Sequence, residues 1–204
     1  SRVLDLGPTT LYAPLAVGRH VDHRLVSGVA RRLAREPGDA AGLVTELQCL
    51  LALGRFERLM TRAHEAGAMA WPKGLQQVLA LFEATALCEL ARPHLALRRL
   101  ERAFRESRGT PSPEVTVARD ILRGRIHQAL GQVERASRFF TEAFRGARRV
   151  DGASRYVLIA QSLLEKGALL AASNALDKAH KTFEYAEEAS QECPGRAIRG
   201  LVAG

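Results

Sequence analysis

A turn-permissive residue followed at once by a fresh amphipathic helix occurs four times in this chain, and no other feature limits its fold so severely. The four places are Leu53-Gly54-Arg55-Phe56, Leu90-Ala91-Arg92-Pro93, Leu130-Gly131-Gln132-Val133 and Ser173-Asn174-Ala175-Leu176. Their second residues lie 37, 40 and 43 positions apart. Gly and Asn suit a helix end whose last residue turns left-handed, where a Cβ costs energy. Each following helix repeats small or apolar residues at helical spacing: Leu59, Ala63 and Ala66; Ala96, Leu100 and Ala103; Ala136, Phe140 and Ala143; Ala179, Phe183 and Ala186. Each preceding helix has a residue midway where its partner would cross, and in three it is small: Leu47, Ala84, Gly124 and Gly167. Small residues at a crossing let two helices approach closely. The pattern predicts four helical hairpins in series.

Composition agrees. Of 204 residues only 5% are aromatic, the good helix formers Ala, Leu, Arg and Glu dominate, and no stretch alternates with a period of two. The class is all-α. Helices are expected near 20–35, 40–53, 56–67, 74–90, 94–107, 114–130, 133–147, 153–172 and 176–192. Segment 1–19 begins extended, with Gly7-Pro8 and Pro14, and 20–35 forms a capping helix with Val21, Leu25, Val29 and Leu33 on one face. The repeat domain spans 20–192, with hairpins at about 40–67, 74–107, 114–147 and 153–192. Loop signals such as Thr110-Pro111-Ser112-Pro113 separate them, with Thr110 or Ser112 as helix cap and Pro113 in the first turn. Residues 193–204 read as the start of a further helix. The opening Ser1-Arg2-Val3-Leu4-Asp5 has neither an initiator Met nor a secretory layout, so the sequence reads as a segment of a longer protein. Cys49, Cys88 and Cys193 are odd in number and far apart, which favours reduced thiols and a cytoplasmic setting.

The spacing of glycine, small residue and aromatic over residues 40–192 resembles the tetratricopeptide repeat. Gly124, Gly131, Ala136, Phe140 and Ala143 match it best, followed by Gly167, Ala179, Phe183 and Ala186. The tryptophan near the start of that repeat is absent. Units of 37–43 residues exceed its usual length and are similar to the longer helical repeats in sensor domains of bacterial MalT-type transcription regulators, as are the helix openings Gly152-Ala153-Ser154-Arg155 and Gly195-Arg196-Ala197-Ile198. The resemblance implies an α–α superhelix, a TPR-like solenoid of antiparallel hairpins. It implies a non-catalytic protein-interaction or effector-sensing domain of a bacterial signalling or transcription regulator.

Motifs for chemistry are scarce. The chain has no glycine-rich phosphate loop, nucleophile elbow, His-Glu-x-x-His or Cys-x-x-Cys. His20, Asp22 and His23 could put two ligands on one helical face, but no third is near and a capping or solvated role is the simpler expectation. His64, His94, His127 and His180 stand singly and are read as structural. No enzyme activity, metal or cofactor is expected.

Two surfaces remain. In the resembling architecture the first helix of each hairpin lines a concave groove, here at Val44, Gln48, Leu81, Thr85, Ile121, Arg125, Leu164 and Ala168. One cation and no asparagine make a poor clamp for a C-terminal carboxylate, so the groove suits an apolar peptide, an amphipathic helix or a small apolar effector. The second surface follows from charge. Net charge is +8, and residues 92–149, with 14 basic and 6 acidic groups, account for all of it. Arg98, Arg102 and Arg105 share a helical face, as do Arg138, Arg145 and Arg149, with Arg119, Arg123 and Arg125 between them. This band fits a solvated face with local pairs such as Glu101–Arg105 and Glu134–Arg138, an acidic partner protein or domain of the parent protein, or nucleic acid. Stacked repeat ends would instead make a homo-oligomeric scaffold.

Overall fold

The computed structural model describes residues 40–69, 74–107 and 110–192. The expected capping helix, the His20–His23 pair, Cys193 and the helix expected after Gly195 lie outside them. The described residues form eight helices: α1 (Ala40–Ala52), α2 (Phe56–Gly67), α3 (Leu75–Glu89), α4 (Pro93–Glu106), α5 (Pro113–Ala129), α6 (Val133–Ala147), α7 (Ser154–Ala172) and α8 (Leu176–Gln191). The fold is all-α, and each helix begins and ends within one residue of the span expected from sequence. Ser112 is the cap of α5, its hydroxyl accepting from the Val115 amide at 3.3 Å with Pro113 in the first turn.

All four predicted hairpin turns share one backbone conformation. Gly54, Ala91, Gly131 and Asn174 have φ of 64°, 57°, 72° and 59°. At each the same two hydrogen bonds close the helix end: Arg55 to the Leu50 carbonyl and Gly54 to Leu51 in the first, and Ala175 to Leu170 and Asn174 to Ala171 in the last. These bonds satisfy helix-end carbonyls that would otherwise be left without a donor. Repetition of the turn, and not only of the helices, gives every hairpin the same reversal.

Inside the third and fourth hairpins the two helices cross at the midway glycine. A Cβ built on Gly124 would lie 2.3 Å from Phe140 Cε1, and one on Gly167 would lie 2.5 Å from Phe183 Cε1. The aromatic ring therefore rests on bare backbone. Contacts then extend from hairpin to hairpin: α1 touches α3, α3 touches α5, and α5 touches α7, while α2, α4 and α6 each touch the first helix of the next hairpin. No comparable contact joins α2 to α4, α4 to α6 or α6 to α8. The core is accordingly a strip of overlapping clusters. Leu43, Leu47, Leu59 and Leu79 occupy one end, Leu81, Leu100, Leu122 and Ile126 follow, and Val117, Ile121, Ala143 and Leu158 continue it.

Ala91 is the one turn position that holds an alanine in the left-handed region. Relief of its Cβ strain outweighs the entropy that glycine adds to the unfolded chain, so Ala91→Gly should stabilise the protein by about 1 kcal/mol. Urea unfolding checks this, as an increased midpoint at unchanged slope.

Candidate interaction surfaces

The helices hold their charges in a repeating pattern that starts from one position on each first helix. Glu46, Glu83, Arg123 and Lys166 are equivalent in the repeat, each next to the crossing residue. In the first two hairpins the residue is a carboxylate that pairs with its own second helix: Glu46 accepts from Arg62 at 2.9 Å, and Glu83 pairs with Arg99. In the last two it is a cation that reaches back to the preceding hairpin. Arg123 donates from Nε to Glu101 at 2.8 Å, and Lys166 donates to the Thr141 hydroxyl at 3.2 Å. Within its own hairpin Arg123 instead lies 5.4 Å above the Phe139 ring, the position of Arg62 and Arg99 earlier in the array. His127 also stacks on Phe139, at 5.2 Å between centroids, with its Nδ1 2.7 Å from Gln132 Oε1. Its structural role agrees with the sequence expectation.

The eight residues expected to line a groove divide in two. Val44, Leu81 and Ile121 are buried, each inside a hydrophobic cluster, and this corrects the expectation that they face a partner. The clusters that take them up join neighbouring hairpins, and α7 contributes no such residue. Gln48, Thr85, Arg125 and Leu164 are half-buried and Ala168 is exposed, so these five remain at the surface. The Thr85 hydroxyl is turned onto its own helix, donating to the Leu81 carbonyl at 2.8 Å.

Arg125 is the centre of a cluster that sequence reasoning missed. Its Nη2 donates to Glu89 at 2.7 Å, and its Nε lies 3.8 Å from Glu165 Oε1, so three successive first helices meet through one guanidinium. Alignment of the repeats puts Glu89 one helical turn beyond Thr85, the equivalent of Arg125, but the pairing of Arg125 with Glu89 and Glu165 depends on the offset between hairpins. Burial raises the Glu165 carboxyl above its ordinary 4.5, against the opposing pull of Arg125, and Glu89 adds to the rise. Burial likewise raises the Cys49 and Cys88 thiols, which favours the protonated form of both sulfurs.

The six arginines of the basic band are all exposed. Among the described residues only Arg102 of the six forms an ion pair, with Glu106 at 2.9 Å, and both side chains remain largely in water. The local pairs expected from helical spacing do not form. Glu101 turns inward to Arg123 and leaves Arg105, and Glu134 and Arg138 stay apart. Arg119, Arg123 and Arg125, expected between the two helical faces, are instead paired with Asp120, Glu101 and Glu89.

Among the described residues, no three His, Cys, Asp or Glu side chains gather as metal ligands, and no helix is long and apolar enough to cross a membrane. No buried side-chain nitrogen or oxygen lacks a hydrogen-bond partner among them. Compared with protein-family models and with curated proteins, the sequence matches none.

A carboxyl whose pKa rises on folding holds its proton more tightly in the native state. Stability then falls as pH rises above 4.5, until the native carboxyl has ionised as well. Glu165→Gln should flatten this part of the stability–pH profile and leave the protein at least as stable as the parent at neutral pH. Urea unfolding across a pH series measures both effects.

Proposed function

We propose that the chain is a non-catalytic, TPR-like interaction module of a cytoplasmic bacterial signalling or transcription regulator, which receives a peptide or amphipathic helix of a partner protein on the layer of its first helices. The observation that carries this reading is the asymmetry of the helix contacts. First helices touch in series, while second helices make no comparable contact with one another. Repeated along an array, that difference curves the stack with α1, α3, α5 and α7 inside, the arrangement solenoids use to make a concave binding surface.

The chemistry of the inner face supports an apolar guest. Ala52, Ala129 and Ala172 occupy one repeat position, all exposed, with Glu89 as the fourth member, and Ala168 lies beside them. Side chains this small let a partner's backbone come close. Arg125 is already held by Glu89 and Glu165, so it is not free to take a terminal carboxylate. Recognition then rests on apolar contact at helical spacing, as in helix-in-groove complexes.

The test is selection of a random-peptide library on the purified chain. Enriched peptides should share an apolar i, i+3, i+4, i+7 pattern. Their binding should fall at least about tenfold on Ala129→Arg with Ala168→Arg, which closes the inner face with two large cations. Enrichment no greater than on an unrelated protein, or peptides indifferent to the double variant, would contradict the reading.

A further inference from the structure

The fold sorts its arginines into two populations. Those between helices are saturated: Arg62 by Glu46, Arg99 by Glu83, Arg119 by Asp120, Arg123 by Glu101 and Arg125 by Glu89. Among the described residues, those on the outer faces of α4 and α6 form no ion pair apart from the exposed Arg102–Glu106 one. The middle of the chain has 14 basic and 6 acidic residues, and two of the six, Glu101 and Asp120, are drawn into the helix interfaces. What remains outside, among the described residues, is a surface with an excess of guanidinium groups over carboxylates. Arg98 and Arg138 are equivalent in the repeat, as are Arg105 and Arg145. The two helices therefore present cations at matching heights, in two rows.

We propose that this outer surface, formed by α4 and α6 and separate from the inner face, docks an acidic segment of a partner protein. Charge complementarity selects a polyanion, and two details select a polypeptide over nucleic acid. Glu142 lies between Arg138 and Arg145, with Glu134 a turn before, so the continuous charge of a phosphate backbone following α6 would meet carboxylates that a peptide with spaced acidic residues avoids. The exposed large apolar residue beside the arginines is Leu95, one helical turn before Arg98 on α4. It suits the apolar edge of an acidic amphipathic segment. Base stacking needs aromatic rings, and the most exposed one among the described residues, Tyr185, is on α8. Guanidinium groups also take carboxylates in a two-pronged geometry that lysine cannot match.

Fluorescence anisotropy on the full chain tests this with a labelled Glu-rich helical peptide, its Gln-for-Glu counterpart and a random-sequence DNA duplex, at low and physiological salt. The Glu peptide should bind, more weakly as salt rises, and more tightly than the duplex, while the Gln peptide should not. Arg98→Glu with Arg102→Glu and Arg105→Glu should weaken binding at least about tenfold, and Arg138→Glu with Arg145→Glu should do so independently on α6. Ala129→Arg with Ala168→Arg should leave it unchanged, which separates this surface from the inner face. Tighter binding of the duplex would overturn the proposal in favour of a nucleic-acid surface. Equal binding of the Gln peptide, indifference to both reversals, or no binding of the Glu peptide at low salt would overturn it outright.

Discussion

Everything in this array depends on one contact, the point at which the two helices of a hairpin cross. The residues that meet there are sixteen positions apart in every copy: Leu47 and Ala63, Ala84 and Leu100, Gly124 and Phe140, Gly167 and Phe183. As the first-helix member shrinks from Leu to Ala to Gly, the second-helix member grows from Ala to Leu to Phe. All the second-helix members are fully buried except Phe183, which is half-buried. The sum of the two volumes changes far less than either volume, as dense packing requires. A glycine in a helix costs about 1 kcal/mol against alanine. The ring laid on its backbone outweighs that cost, because burying a Phe side chain is worth about 1.5–3 kcal/mol.

Because the crossings are alike, the hairpins stack, and because they stack, the surfaces separate by role. First helices lie against one another, α3 and α5 on both sides, and Val44, Leu81 and Ile121 are lost to the core. Second helices bury only a stripe, such as Ala96 and Leu100 in α4, and give the rest of their circumference to solvent. Charge follows the same division. The residue beside each crossing changes from Glu46 and Glu83 to Arg123 and Lys166, so the first hairpins are pinned internally and the later ones to their predecessors. Ion pairs that remain in water contribute only about 0–1 kcal/mol. The half-buried ones set the register of neighbouring helices more than they set stability.

The local parts of the fold were legible in the sequence. Gly54, Ala91, Gly131 and Asn174 marked the left-handed turns, and Gly124 and Gly167 marked the crossings, because backbone conformation and close approach leave only a few residues admissible. Ser112 and Pro113 marked the start of α5 for the same reason. The partners of long side chains were not legible. Helical spacing pairs Glu101 with Arg105, yet the structure pairs it with Arg123, because an arginine on the neighbouring helix is as near as one on the same helix and less exposed. The Glu89–Arg125–Glu165 cluster spans three hairpins and appears only when their offset is known. Burial of Val44, Leu81 and Ile121 likewise depends on how closely first helices approach, which periodicity within one helix does not encode.

A double-mutant cycle at the third crossing tests the central claim most directly. Gly124→Ala alone should destabilise by about 1–3 kcal/mol, since overpacking against Phe140 exceeds the gain in helix propensity. Phe140→Leu alone should cost about 1 kcal/mol, for the volume it vacates. Together they recreate the Ala84–Leu100 pair of the second hairpin, and the double variant should be more stable than Gly124→Ala by itself. Strictly additive losses, measured by urea unfolding, would contradict the account, because the two positions would then not share one space.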